Sequence, residues 1–169
     1  RGDTFDGVNY STAWGALCLQ RHPSSQKIMR DDSRFKRFAA ATVSKMKEEG
    51  FLNPRSVANI CTSYSKMEID GYLERMDGKD LFGAVNEKGK WLVENGSTQE
   101  VANTAIAFAK IRVDGPDFFA AVNTGGRRLV ENGDSEQVAK MATAFAMVNF
   151  DGQDFFGAVN EHSKWLVEN

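Results

Sequence analysis

Three sets of side chains recur along this chain, two at a fixed interval of 37 residues and one in steps of 44 and 37, and each could contact a nucleic acid or a protein. Lys90, Arg127 and Lys164 stand 37 residues apart. Facing one groove, they would form a ladder of cations able to track phosphates, because each neutralised phosphate releases condensed counterions. The same column also suits ordinary i,i+4 surface pairs with Glu94, Glu131 and Glu168, worth roughly 0.2–0.5 kcal/mol each. Asn59, Asn103 and Lys140 form a polar column that varies at its third member, and a polar, varying column suits a reader of one RNA base per repeat. A polar surface position, or a hydrogen bond between repeats, accounts for it equally. Trp91, Arg128 and Trp165 present flat groups on which bases can stack; the alternative is packing at the boundary of the next repeat. None of these groups is a reaction centre. No nucleophile–base arrangement, carboxylate dyad, phosphate-cradling glycine loop or metal-ligand spacing stands out. The chain therefore reads as non-enzymatic, and no cofactor or metal is expected.

The interval belongs to the elements that carry these groups. Trp91-Leu92-Val93-Glu94-Asn95 returns as Arg128-Leu129-Val130-Glu131-Asn132 and as Trp165-Leu166-Val167-Glu168-Asn169, in steps of 37 residues. A fixed period of this size marks a stack of repeated units. Each unit opens on a helix-capping residue: Asn53 before Pro54, Ser97, and Asp134. Ser97 with Glu100 has the form of a capping box, and Asp134 with Gln137 imitates it. First helices follow, with Val57, Cys61 and Tyr64, then Val101, Ala105 and Phe108, then Val138, Ala142 and Phe145 at i, i+4, i+7. After an Asp-Gly turn, second helices are expected with caps near Asp80, Asp117 and Asp154. Their buried faces are Phe82, Val85, Gly89, Leu92; Phe119, Val122, Gly126, Leu129; and Phe156, Val159, Ser163, Leu166. Gly96 and Gly133 should stop them. The second unit is longer by a seven-residue insert, Asp70 to Met76.

The first 52 residues carry a fainter version of the pattern. Val8, Thr12, Gly15, Ala16 and Leu19 fall at helical spacing; residues 21–33 read as a loop. Phe35 to Glu49 reads as a helix with Phe35, Phe38, Ala39, Thr42, Val43 and Met46 on one face, ended by Gly50. The expected fold is all-α: a single right-handed α-solenoid over residues 1–169, built of antiparallel helix pairs at about 6–50, 53–95, 97–132 and 134–169.

Composition narrows the function. The formal net charge is −2 over 169 residues. Residues 1–52 hold 9 basic and 6 acidic side chains, and residues 53–169 hold 12 and 17. That is not the basic excess of a protein held on nucleic acid mainly through phosphates. Cys18 and Cys61 sit in helical apolar patterns with no partner spacing and are expected to be buried, reduced thiols. No apolar run approaches the ~20 residues that span a bilayer. The last unit exposes an apolar face unless more chain beyond Asn169, or a partner, covers it.

The stretch Gln99-Glu100-Val101-Ala102-Asn103-Thr104-Ala105-Ile106-Ala107-Phe108-Ala109, followed by Asp117-Phe118-Phe119, resembles the helix-pair repeats of algal organelle proteins. These are the octotricopeptide-type repeats and the related repeats that accompany RAP domains and FAST-kinase-like proteins. The resemblance covers residues 53–169 and implies an α-solenoid in a mitochondrion or plastid, with single-stranded RNA as its partner. The acidic balance of the repeats supports a rival: a scaffold that holds another protein within a larger assembly.

Overall fold

The computed structural model describes residues 6–19, 32–69 and 78–168. Every regular element among them is a helix: α1 (Gly7–Cys18), α2 (Ser33–Lys47), α3 (Pro54–Ile69), α4 (Gly78–Glu87), α5 (Gly89–Asn95), α6 (Thr98–Ile111), α7 (Pro116–Thr124), α8 (Gly126–Asn132), α9 (Ser135–Val148) and α10 (Gln153–Glu168). The insert Asp70 to Met76 and residues 21–31 of the expected loop lie outside the described residues.

The helices begin where the capping chemistry places them. Asn53 accepts from the Ser56 N–H at 2.8 Å. Ser97 and Glu100 complete their reciprocal box. Asp134 accepts the Gln137 N–H at 2.8 Å, but the Gln137 amide then donates to the second Asp134 oxygen at 2.7 Å instead of reaching back to the cap backbone. At the start of α2, Asp32 accepts from the Arg34 side chain and backbone, and these bonds hold its carboxyl down at about 2. Helices α6 and α9 end on left-handed residues, Arg112 (φ 55°) and Asn149 (φ 53°). Gly96 and Gly133, in contrast, end α5 and α8 in extended backbone.

The helices form two layers. In one, α1 packs on α3, α3 on α6 and α6 on α9. In the other, α2 packs on α4, α4 and α5 on α7, and α7 and α8 on α10. Between the layers runs a file of aromatic rings, which from Tyr64 onward come alternately from a first and a second helix. Trp14 lies 5.7 Å from Tyr64, Tyr64 5.8 Å from Phe82, Phe82 4.7 Å from Phe108, Phe108 6.0 Å from Phe119, and Phe119 5.5 Å from Phe145. Such contacts add ~0.5–1.5 kcal/mol per pair beyond the area they bury.

Four expectations need correction. The stripe proposed for α1 is on the wrong side: Val8 and Leu19 are 57% and 74% exposed, while Tyr10 and Trp14 are buried. Two large rings at i, i+4 outweigh several small residues, because burial energy follows apolar area. Each second helix of the middle units is not one helix but two, interrupted at Lys88 and at Gly125. Asp117 and Asp154 do not cap; they lie in the first turns of α7 and α10 and accept side-chain bonds from the preceding unit. Finally, Phe156 is 44% exposed; Phe155 beside it is the buried ring. Of the two thiols, Cys61 is buried and Cys18 half-buried, and both are free.

Trp14 supplies one sharp test of the core. Its indole Nε1–H donates to Thr42 Oγ1 at 3.0 Å, and that hydroxyl donates in turn to the Phe38 carbonyl at 2.9 Å. Both Trp14 and Thr42 are essentially fully buried. Thr42→Val keeps the shape but strands the indole N–H, so urea unfolding should report a loss of about 2 kcal/mol.

Candidate functional site

The recurring residues divide between the two layers. Asn59, Asn103 and Lys140 sit on α3, α6 and α9, the stacked first helices. Asn59 is exposed and the other two half-buried. Lys140 Nζ lies 3.4 Å from Asn103 Oδ1 and 2.7 Å from Glu136. Helix stacking thus brings one position of successive copies into contact. Arg55 and Lys66 are exposed on α3 and Lys110 on α6. The described carboxylates on α3, α6 and α9 are Glu100, held in its capping box, and Glu136, paired with Lys140. Among the described side chains of these three helices, cations therefore outnumber anions.

In the other layer α2 carries Arg34, Lys36, Arg37, Lys45 and Lys47, but the helices that follow have the opposite balance. On α4, α5, α7, α8 and α10, Lys88, Lys90, Arg127 and Arg128 stand among Asp80, Glu87, Glu94, Asp117, Glu131, Asp154 and Glu161. Lys90 lies 3.8 Å from Glu94, and Arg127 lies 3.8 Å from Glu131 and 2.6 Å from Glu161. All are well exposed, so each pair contributes little to stability, yet a phosphate entering here would meet carboxylates beside each cation. Two furrows cross this layer. One of about 510 Å³ is lined by Lys90, Glu94, Asp117, Thr124 and Arg128; the other, of about 340 Å³, by Arg127, Glu131, Glu161 and His162. Arg128 donates to the Val93 carbonyl of the preceding unit. Trp91 is half-buried against the core, with the Lys88 ammonium 5.8 Å from its ring. The side chains of Lys164 and Trp165 lie outside the described residues.

One column escaped the sequence reading. The Phe118 N–H donates to Asn86 Oδ1 at 3.0 Å, and Asn86 Nδ2 donates to Asp117 Oδ2 at 2.8 Å. Exactly one period later in sequence the Phe155 N–H donates to Asn123 at 3.0 Å, and Asn123 donates to Asp154 at 3.0 Å. Each asparagine clamps the free N–H groups at the start of the next second helix. Asn86, Asn123 and Asn160 were visible at the common spacing, but an asparagine inside a helix carries no signal of what it will touch.

Burial pushes the Cys61 thiol well above its ordinary range, which leaves it un-ionised and inert. Among the described residues, no three His, Cys, Asp or Glu side chains converge on a metal position, and no helix is long and apolar enough to cross a membrane. Comparison with protein-family models, curated proteins and solved structures finds no match for this chain.

Proposed function

We propose that the chain is a right-handed α-solenoid of 37-residue helix pairs that binds single-stranded RNA along its first-helix layer, as a non-enzymatic RNA-binding or RNA-processing factor. The observation that carries this reading is the register of Asn59, Asn103 and Lys140 on stacked helices, flanked by Arg55, Lys66 and Lys110. Polar groups held in one register suit bases, and the flanking cations suit the backbone between them. The resemblance to octotricopeptide-type repeats points the same way and alone supports location in a mitochondrion or plastid.

The test is a titration with fluorescent single-stranded RNA at 50 and 200 mM salt, on the order of the range where phosphate contacts lose affinity steeply. Four backbone contacts would give a slope of log K against log salt of about −3, since single strands contribute ~0.7 per phosphate. The double variant Lys66→Glu, Lys110→Glu should reduce that slope by more than one and weaken binding at least tenfold. Charge reversal at Lys90 and Arg127 should leave it nearly unchanged. Absence of binding at low salt removes the RNA reading. The carboxylate-rich helices α4, α5, α7, α8 and α10, with their two furrows, support a second reading, a scaffold that holds a basic protein partner. Co-purification of a stoichiometric protein whose binding is lost on neutralising Glu94, Glu131 and Glu161 would favour it.

A further inference from the structure

Gly89, Gly126 and Ser163 occupy one column, 37 residues apart. At the first two positions the backbone of the next unit comes so close that no side chain fits. A Cβ on Gly89 would lie 2.5 Å from the Phe118 Cα, and one on Gly126 would lie 2.7 Å from the Phe155 Cα. These are backbone atoms of the helix start that Asn86 or Asn123 clamps, so they cannot swing aside as a side-chain end can. Both contacts fall where the second helix is interrupted. In the last unit the column holds Ser163, exposed, its hydroxyl donating to the Val159 carbonyl at 2.8 Å, and α10 runs on through it from Gln153 to Glu168.

The rest of that face is a copy of a docking face. Phe156, Val159 and Asn160 stand where Phe119, Val122 and Asn123 stand one period earlier. Phe119 covers α9, Asn123 clamps α10, and Val122 is buried; Asn160 is exposed and Phe156 is 44% exposed. We infer that Ser163 closes this face to a further helix pair of the same kind: the ring, the aliphatic contact and the asparagine clamp are kept, and a single Cβ stands where the incoming backbone would pass. A next unit, joined to this chain or belonging to a second copy, cannot seat in the register of the inner interfaces. Open-ended stacking of like units is the hazard of an uncapped repeat face, and Ser163 blocks it without removing the face. The inference rests on the stacked-repeat reading above.

The experiment extends the full chain by a second copy of residues 133–169 placed after Asn169, with Ser163 retained or changed by Ser163→Gly. The appended copy brings the same Asp154–Phe155 start that already docks on Gly126. With Ser163 retained, the urea m-value should stay that of the unextended chain, and the added copy should be cut first by protease. With Ser163→Gly, the m-value should rise by about one-fifth, in proportion to the added chain, and the added copy should become protected. Equal gains in both extended chains, or a gain in neither, overturn the inference. Gly126→Ser in the unextended chain separates the two readings. If it leaves stability intact, the inner stacking geometry itself is wrong; if it destabilises while the extended chains behave alike, only the role of Ser163 fails.

Discussion

Phe108→Ala should lower stability by about 4 kcal/mol and the thermal midpoint by roughly 10 °C. Phe108 has no exposed surface. Its ring lies 4.7 Å from Phe82 in the preceding unit, 5.1 Å from Phe118 and 6.0 Å from Phe119 in its own. It also fills the space over Gly115, where a Cβ would lie 2.7 Å from the ring edge. Truncation therefore leaves a cavity lined by rings from two units and by α7 backbone. Rings locked into the file cannot collapse into it, which is the condition for the upper part of the range. Phe156→Ala is the comparison. That ring stands one period after Phe119, the next ring of the file, but is 44% exposed, so its loss should cost under about 1.5 kcal/mol. Both values come from urea unfolding followed by circular dichroism. A Phe108→Ala loss no larger than that of Phe156→Ala would show that the ring file does not hold the layers together.

Period and capping chemistry made the helices legible. Ser97 with Glu100, and Asp134 with Gln137, fix starts through local hydrogen bonds that need no tertiary information. Val101, Ala105 and Phe108 declare a buried stripe by spacing alone. What could not be read was whatever depends on the neighbouring unit. Asp117 and Asp154 look like caps because an acidic residue opening a helix usually is one; only the position of Asn86 and Asn123 across the interface turns them into acceptors. The interruptions at Lys88 and Gly125 likewise follow from the approach of another helix. In α1, Tyr10 and Trp14 bury against Phe38 and Phe35 of α2, contacts that a helical periodicity cannot weigh. The candidate faces show the same limit. The acidic sum over residues 53–169 is correct, but it merges two layers of opposite balance. Lys66 and Lys110 gain meaning only once α3 and α6 lie side by side.

Gly126→Ala tests the close approach between units and should destabilise the chain by about 3 kcal/mol, near the top of the range for forcing atoms into a packed site. The usual expectation has the opposite sign. Alanine is favoured over glycine inside a helix by ~1 kcal/mol, and Gly126 opens α8 with ordinary helical neighbours. The sign turns on the Phe155 backbone, whose Cα, N and Cβ lie 2.7, 3.1 and 3.3 Å from the added methyl carbon. Relief would require α10 to shift away. That shift would stretch the bond from the Phe155 N–H to Asn123 and pull Phe155 from the 5.1 Å stack it makes with Phe145. Gly157→Ala supplies the control. Gly157 lies two residues further along α10, exposed, with nothing within 4 Å of an added Cβ. It should follow helix propensity and stabilise by up to ~1 kcal/mol. The two substitutions are chemically identical and differ only in what stands beside the new methyl group, so their urea midpoints should move in opposite directions. If Gly126→Ala shifts with Gly157→Ala, the units do not meet backbone to backbone at this point, and the glycine column loses its physical basis.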